Sequence, residues 1–141
     1  MAKNGFSMSN RVAVEEVTAA KTLTANDCGK LFTVDAAGAF TITLPDPGEA
    51  GAGWNCTILC SDAPGGNVTI TAGSTILHAV GYGADVTDTS NYPASAGTAQ
   101  LKIVLSTNCD EGDLVDLVTD GTLWYARIIT HAQNGATVAT S

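Results

Sequence analysis

Between Phe40 and Leu44 the chain reads Phe-Thr-Ile-Thr-Leu, with large apolar residues and threonine in strict alternation. A period of two puts Phe40, Ile42 and Leu44 on one side of an extended segment and the threonines on the other, which marks a half-buried β-strand. Pro45 stops it, because proline brings no amide donor to a ladder. The same grammar recurs along the chain. It gives a weak strand through Val12, Val14 and Val17, then strands at Leu31 to Val34, Trp54 to Cys60, Val68 to Thr71 and Thr75 to Leu77. Further runs follow at Ala99 to Ser106, Leu114 to Val118 and Leu123 to Thr130. Between the last two lies Asp120-Gly121, and Asp-Gly flanked by apolar alternation is a strong short-range hairpin signal.

Turn chemistry separates the other runs. Asn26-Asp27 with Gly29, Asp35 to Gly38, Ala63 to Asn67 and Asn108 to Gly112 all carry residues that tolerate left-handed backbone or bond their own amides. Asp46 to Gly53 reads as a loop. So does the long stretch from Gly81 to Thr98, which carries Tyr82 and Tyr92 with little periodicity. No segment has a convincing helical period. Strands recurring every 8 to 12 residues or so, with glycine-rich turns, indicate an all-β fold. The expectation is a single-domain β-sandwich or jelly-roll-like barrel of about eight to nine short antiparallel strands. It would span residues 11–130, between a flexible arm at 1–10 and a small polar tail at 131–141.

Charge narrows the function classes. Only 14% of the 141 residues are charged and the net charge is −8. The cations Lys3, Arg11, Lys21, Lys30, Lys102 and Arg127 are scattered, so no basic patch is available for phosphate and no nucleic-acid partner is expected. An anionic membrane surface is disfavoured in the same way. No apolar run resembles a secretion signal or a membrane span, which implies synthesis in a cytosol. A surface built of Thr, Ser, Asn and Gly repels like surfaces weakly and suits a subunit packed against copies or partners.

Candidate chemistry is sparse. Cys56 and Cys60 fall on one face of their strand, too far apart to bond each other, and with Cys28 and Cys109 they show no zinc-type pairing. Buried free thiols are the expectation. His78 and His131 lie in no nucleophile motif, and Gly81-Tyr82-Gly83 lacks the third glycine and helix of a dinucleotide loop. The acids from Asp110 to Asp120 could hold a weak cation, but their spacing fits no calcium loop and a solvated turn is the reading adopted. Neither a metal nor a cofactor is expected. Trp54 and Trp124 belong to strands and should pack, leaving Tyr82 and Tyr92 as the expected contact residues.

Two stretches carry a family resemblance. One runs through Lys21-Thr-Leu-Thr, Asp27-Cys-Gly-Lys30, Leu31-Phe-Thr-Val-Asp35 and Phe40-Thr-Ile-Thr-Leu-Pro45 to a glycine-rich loop before Trp54. The other is the ending Glu111 to Tyr125 with its Asp120-Gly121 turn. Together they resemble a pattern of small bacteriophage virion proteins, among them head decoration proteins and trimeric fibre modules. The resemblance implies a non-enzymatic, often trimeric subunit that binds the major capsid protein or other virion proteins at the capsid surface. The competing expectation is a fibre, receptor-binding or carbohydrate-binding module acting through Tyr82 and Tyr92, and a small hydrolase is the third.

Overall fold

The computed structural model describes residues 11–84 and 98–141. In chain order the elements are β1 (Val14–Val17), β2 (Lys21–Thr22), β3 (Leu31–Val34), β4 (Phe40–Thr43), α1 (Pro47–Ala50), β5 (Asn55–Cys60) and β6 (Val68–Thr71). They continue with β7 (Leu77–Gly83), β8 (Lys102–Leu105), β9 (Leu114–Thr119), β10 (Trp124–Thr130) and β11 (Ala136–Ala139). A six-stranded sheet has the order β1-β3-β5-β9-β10-β7 and a five-stranded sheet the order β11-β8-β6-β4-β2. The fold is all-β, as the alternation predicts.

Strand direction departs from the expectation. β1–β3, β3–β5, β2–β4, β4–β6 and β7–β10 pair in parallel. β5–β9, β9–β10, β6–β8 and β8–β11 are antiparallel. The cause is the path of the chain. From β1 to β6 it alternates between the sheets, so each strand is followed by one in the other sheet before the chain returns beside it in the same direction. A parallel pair needs a crossover of a dozen or so residues, usually a helix; here the crossover is a strand of the opposite sheet. Turns such as Asp35 to Gly38, which look like hairpin turns, are the passages between sheets. At one of them the backbones run so close that a Cβ on Gly66 would collide with the amide nitrogen of Ala39.

Both sheets feed one apolar cluster. Phe32, Ile58, Val115, Trp124 and Ile128 enter it from the six-stranded sheet, and Ile42, Ile70, Ile103 and Leu105 from the five-stranded one. Ile42 and Leu44 are buried as the alternation requires, whereas Phe40, at the start of its strand, is only half-buried against the cluster. Pro45 is buried just beyond β4. Trp54 and Trp124 meet edge to face, with ring centroids 5.3 Å apart and planes at 89°. The Trp54 indole N–H donates to the carbonyls of Thr24 and Ala25, both at 3.2 Å, tying the turn before β3 to the core.

The Asp120-Gly121 hairpin forms as read: Thr119 of β9 pairs with Trp124 of β10. Asp120 Oδ1 accepts the amides of Thr122 and Leu123, each at 2.8 Å, and Gly121 has φ +93°, where a side chain would be strained. Other expectations are corrected. The stretch 131–141 is no loose tail: β11 pairs with β8, and Gln133 and Ala136 are buried. Tyr82 lies inside β7 rather than in a loop, while Tyr92 and the arm at 1–10 fall outside the described residues. Inside the Asp46 to Gly53 loop, Asp46 caps a single helical turn, α1, by accepting the amide of Gly48 at 2.8 Å.

At one edge an ionic cluster binds β1, β2 and the turn before β3. Glu15 holds Lys21 at 2.6 Å and Lys30 at 2.9 Å, and Lys30 reaches Asp27 at 2.7 Å. Asp27 is buried and also accepts the Thr24 amide at 2.8 Å, closing a 3-10 turn at Ala25–Asp27. Burial alone would raise the Asp27 carboxyl, but the Lys30 ammonium and the Thr24 amide outweigh it and hold the group below its ordinary 3.8. A depressed carboxyl contributes stability that is complete above its unfolded-state value and lost as pH falls through the folded-state one. Asp27→Ala is expected to cost about 1–2 kcal/mol at neutral pH by denaturant unfolding. The gap from the parent chain should close as pH falls below 3.8; a gap that persists in acid would contradict this role.

Candidate interaction surface

In β10 the burial alternates without a break: Trp124, Ala126, Ile128 and Thr130 point inward, leaving Tyr125, Arg127 and Ile129 outward. The register of the neighbouring strands then fixes what lies beside each outward residue. Arg127 faces Asp116 of β9 and Val80 of β7, and Asp116 faces Thr57 of β5. One step along, Tyr125 stands between Val118 and His78, with Asn55 beyond Val118. On the other side, Ile129 stands between Leu114 and Tyr82, with Leu59 beyond Leu114. Three cross-strand rows thus run over the outer face of the six-stranded sheet.

Those rows are unusually apolar for the outside of a sheet. Val80 is 61% exposed, Tyr82 59%, Ile129 49%, Val118 42% and Tyr125 40%. With Val14 at the far edge of the same face, they are six of the seven large apolar side chains exposed among the described residues. Single exposed apolar residues are ordinary; a set gathered on one face makes that face the candidate interaction surface.

A groove of about 720 Å³ crosses this face, bordered by Asn55, Thr57, His78, Asp116, Tyr125 and Arg127. The Tyr125 and His78 rings stack with centroids 6.0 Å apart and planes inclined at 24°. The Tyr125 hydroxyl donates to Asp120 Oδ2 at 3.1 Å, so the turn that shapes the hairpin also fixes the ring. The Thr57 hydroxyl donates to Asp116 Oδ1 at 2.6 Å. Arg127 is only loosely held, its Nη2 4.0 Å from Asp116 Oδ2 and its side chain 79% exposed, which leaves most of its donors for another molecule. The groove therefore offers apolar contact, one aromatic face and a few oriented polar groups, the chemistry of recognition.

The remaining candidates are placed elsewhere and are not brought together. Asp113 is buried; its Oδ1 accepts the backbone amide of His131 at 2.8 Å, and its Oδ2 accepts that of Asp110 at 3.0 Å and lies 3.0 Å from His131 Nδ1. Asp116 belongs to the groove and Asp120 to the hairpin turn. The acids weighed above as a weak cation site are thus committed to separate tasks, and no group of three potential metal ligands occurs among the described residues. Phe40, Ile42, Leu44, Pro45, Trp54 and Trp124 serve the core. Of the two tyrosines expected as contacts, Tyr82 lies on the exposed face. Val80, Val118 and Ile129 were not foreseen there, although apolar residues at outward strand positions beside Arg127 and Tyr125 are a signal for it.

The carboxylate of Asp120 raises the Tyr125 hydroxyl above the ordinary phenol range, because the charged acceptor favours the protonated form. Near-ultraviolet titration should show one tyrosine ionising later than the others, and Asp120→Asn should move that transition to lower pH. An unchanged titration would mean that the ring is not held by the turn. In the comparisons with known proteins, no family model, no curated protein and no solved structure matches the chain.

Proposed function

We propose that this protein is a non-enzymatic structural subunit of a bacteriophage particle, its two sheets stacked as a β-sandwich, which binds the assembled head shell and decorates or stabilises it, as a trimer. The observation that carries the reading is the outward apolar face built by Val80, Val118, Tyr125 and Ile129. The strand-and-turn pattern from Lys21 to Trp54 and from Glu111 to Tyr125, which resembles that of small virion proteins, supplies the setting. The occupant of the face is a shell protein surface. A partner of that kind suits a patch that is mostly aliphatic, with the Asp116 beside Arg127 already bonded to Thr57. The low content of charge, 14%, favours close packing between subunits.

The mechanism is linkage. A subunit that binds only the assembled shell stabilises it by the free energy of binding, with no bond made or broken. Trimerisation multiplies shallow footholds into firm attachment. The stacked sheets are favoured by the cluster both sheets feed, and the parallel winding of β1 to β6 replaces the Greek-key hairpins of a jelly roll.

A second reading has one observation behind it. Tyr125, Asn55, Asp116 and Arg127 border one groove, and an aromatic face among planar polar groups also suits a sugar ring. Co-sedimentation with purified heads separates the two. The full chain should pellet with expanded heads, and Ile129→Glu or Val118→Asp should weaken that binding at least tenfold while leaving the melting curve nearly unchanged. Head binding untouched by both variants, together with glycan-array binding lost on Tyr125→Ala, would overturn the structural reading in favour of carbohydrate recognition.

A further inference from the structure

The four cysteines are free thiols, and three of them, Cys56, Cys60 and Cys109, are buried. They are not equivalent. Burial pushes the Cys56 thiol up to about 12, with no hydrogen bond from another thiol acting on it. Cys60 closes β5, and the segment after Cys109 folds directly onto it: the Gly112 amide donates to the Cys60 carbonyl at 2.9 Å, and the Cys60 amide donates to the Asp113 carbonyl at 2.8 Å. This pairing brings the Cys109 thiol to Cys60 as a side-chain hydrogen-bond partner. The Cys109 sulfur also lies 2.9 Å from the Gly135 carbonyl, beside the start of β11.

We propose that Cys60 and Cys109 are a dithiol that closes to an intramolecular disulfide when the protein meets an oxidising, disulfide-containing medium. The bond would clip the end of β5 to the turn that leads into β9. The exchange is taken with Cys60 attacking first, and it balances in the same way with Cys109 first. Cys60 sulfur attacks oxidised glutathione and releases one reduced glutathione. Cys109 then gives its proton to solvent and attacks the Cys60 sulfur of the mixed disulfide, expelling the second. The protein loses two electrons and two protons, and the oxidant gains them.

Access is local. Cys109 is a buried residue in a turn whose neighbours Asn108 and Asp110 are exposed, and Cys60 is followed by the exposed Ser61 and Asp62. Both sulfurs belong to the apolar cluster, so the exchange proceeds through a local opening of that end of the fold. The inference is independent of what covers the six-stranded sheet.

Oxidised glutathione applied to the folded full chain, then acid quench and peptide mapping, tests it. The expected result is the loss of two titratable thiols and a Cys60–Cys109 cross-linked peptide. Closing a loop of about 50 residues should also raise the melting temperature by about 10 °C, reversed by dithiothreitol. Cys60→Ala and Cys109→Ala should each abolish the bond and the shift, and Cys28→Ser should abolish neither. Four thiols surviving in the folded parent chain, a bond between Cys28 and Cys56, or a bond formed only in denaturant would each overturn the proposal.

Discussion

The molecule depends on a shared apolar cluster that neither sheet could form alone. Each strand has one inward face, and the chain visits the two sheets alternately from β1 to β6. Ile42, Ile70 and Ile103 from one sheet and Phe32, Ile58 and Val115 from the other are fully buried in a single cluster. At about 25 cal/mol per Å² of apolar surface removed from water, burying each side chain of that size contributes about 1.5–3 kcal/mol. Polar groups at the rim set geometry: the Trp54 indole on two carbonyls, the Asp27 carboxylate between Lys30 and the Thr24 amide, and the Asp120 carboxylate closing its turn.

That cluster also explains why the outer face stands apart. Residues at odd and even positions of a strand cannot both reach the core, so Val80, Val118, Tyr125 and Ile129 gain nothing from the molecule's own interior. A self-contained domain would carry Thr or a charge at most of these positions, as the outward Thr41 of β4 and Thr137 of β11 do on the other sheet. Leaving aliphatic groups there is understandable when another surface removes them from water. Fixing Tyr125 through Asp120 presents the ring in one orientation, which lowers the ordering cost of docking.

Much of this was legible in the residues. Phe-Thr-Ile-Thr-Leu at 40–44 and Asp-Gly at 120–121 specify a strand and a hairpin through local rules alone, and both are present. Strand direction was not legible, because a period of two is the same for parallel and antiparallel neighbours, and the turn at Asp35 to Gly38 does not say whether the chain stays in its sheet. β11 escaped because Ala-Thr-Val-Ala is too weakly apolar to stand out; it is held by pairing with β8 and by the burial of Ala136. The exposed apolar face escaped for a related reason. Residues from β7, β9 and β10 meet only through register, and β7 lies nearly fifty residues before its partner β10. The thiol pair is likewise a product of the fold, since Cys60 and Cys109 share no sequence pattern.

The central claim is that the outer face of the six-stranded sheet is covered by other proteins in a viral particle. Hydroxyl-radical footprinting of the isolated chain and of intact particles measures that cover directly. The account predicts strong labelling of Tyr125, Ile129 and Val118 in the free subunit and a severalfold drop in the particle. Equal labelling in both states, or the absence of the protein from any particle, would contradict it.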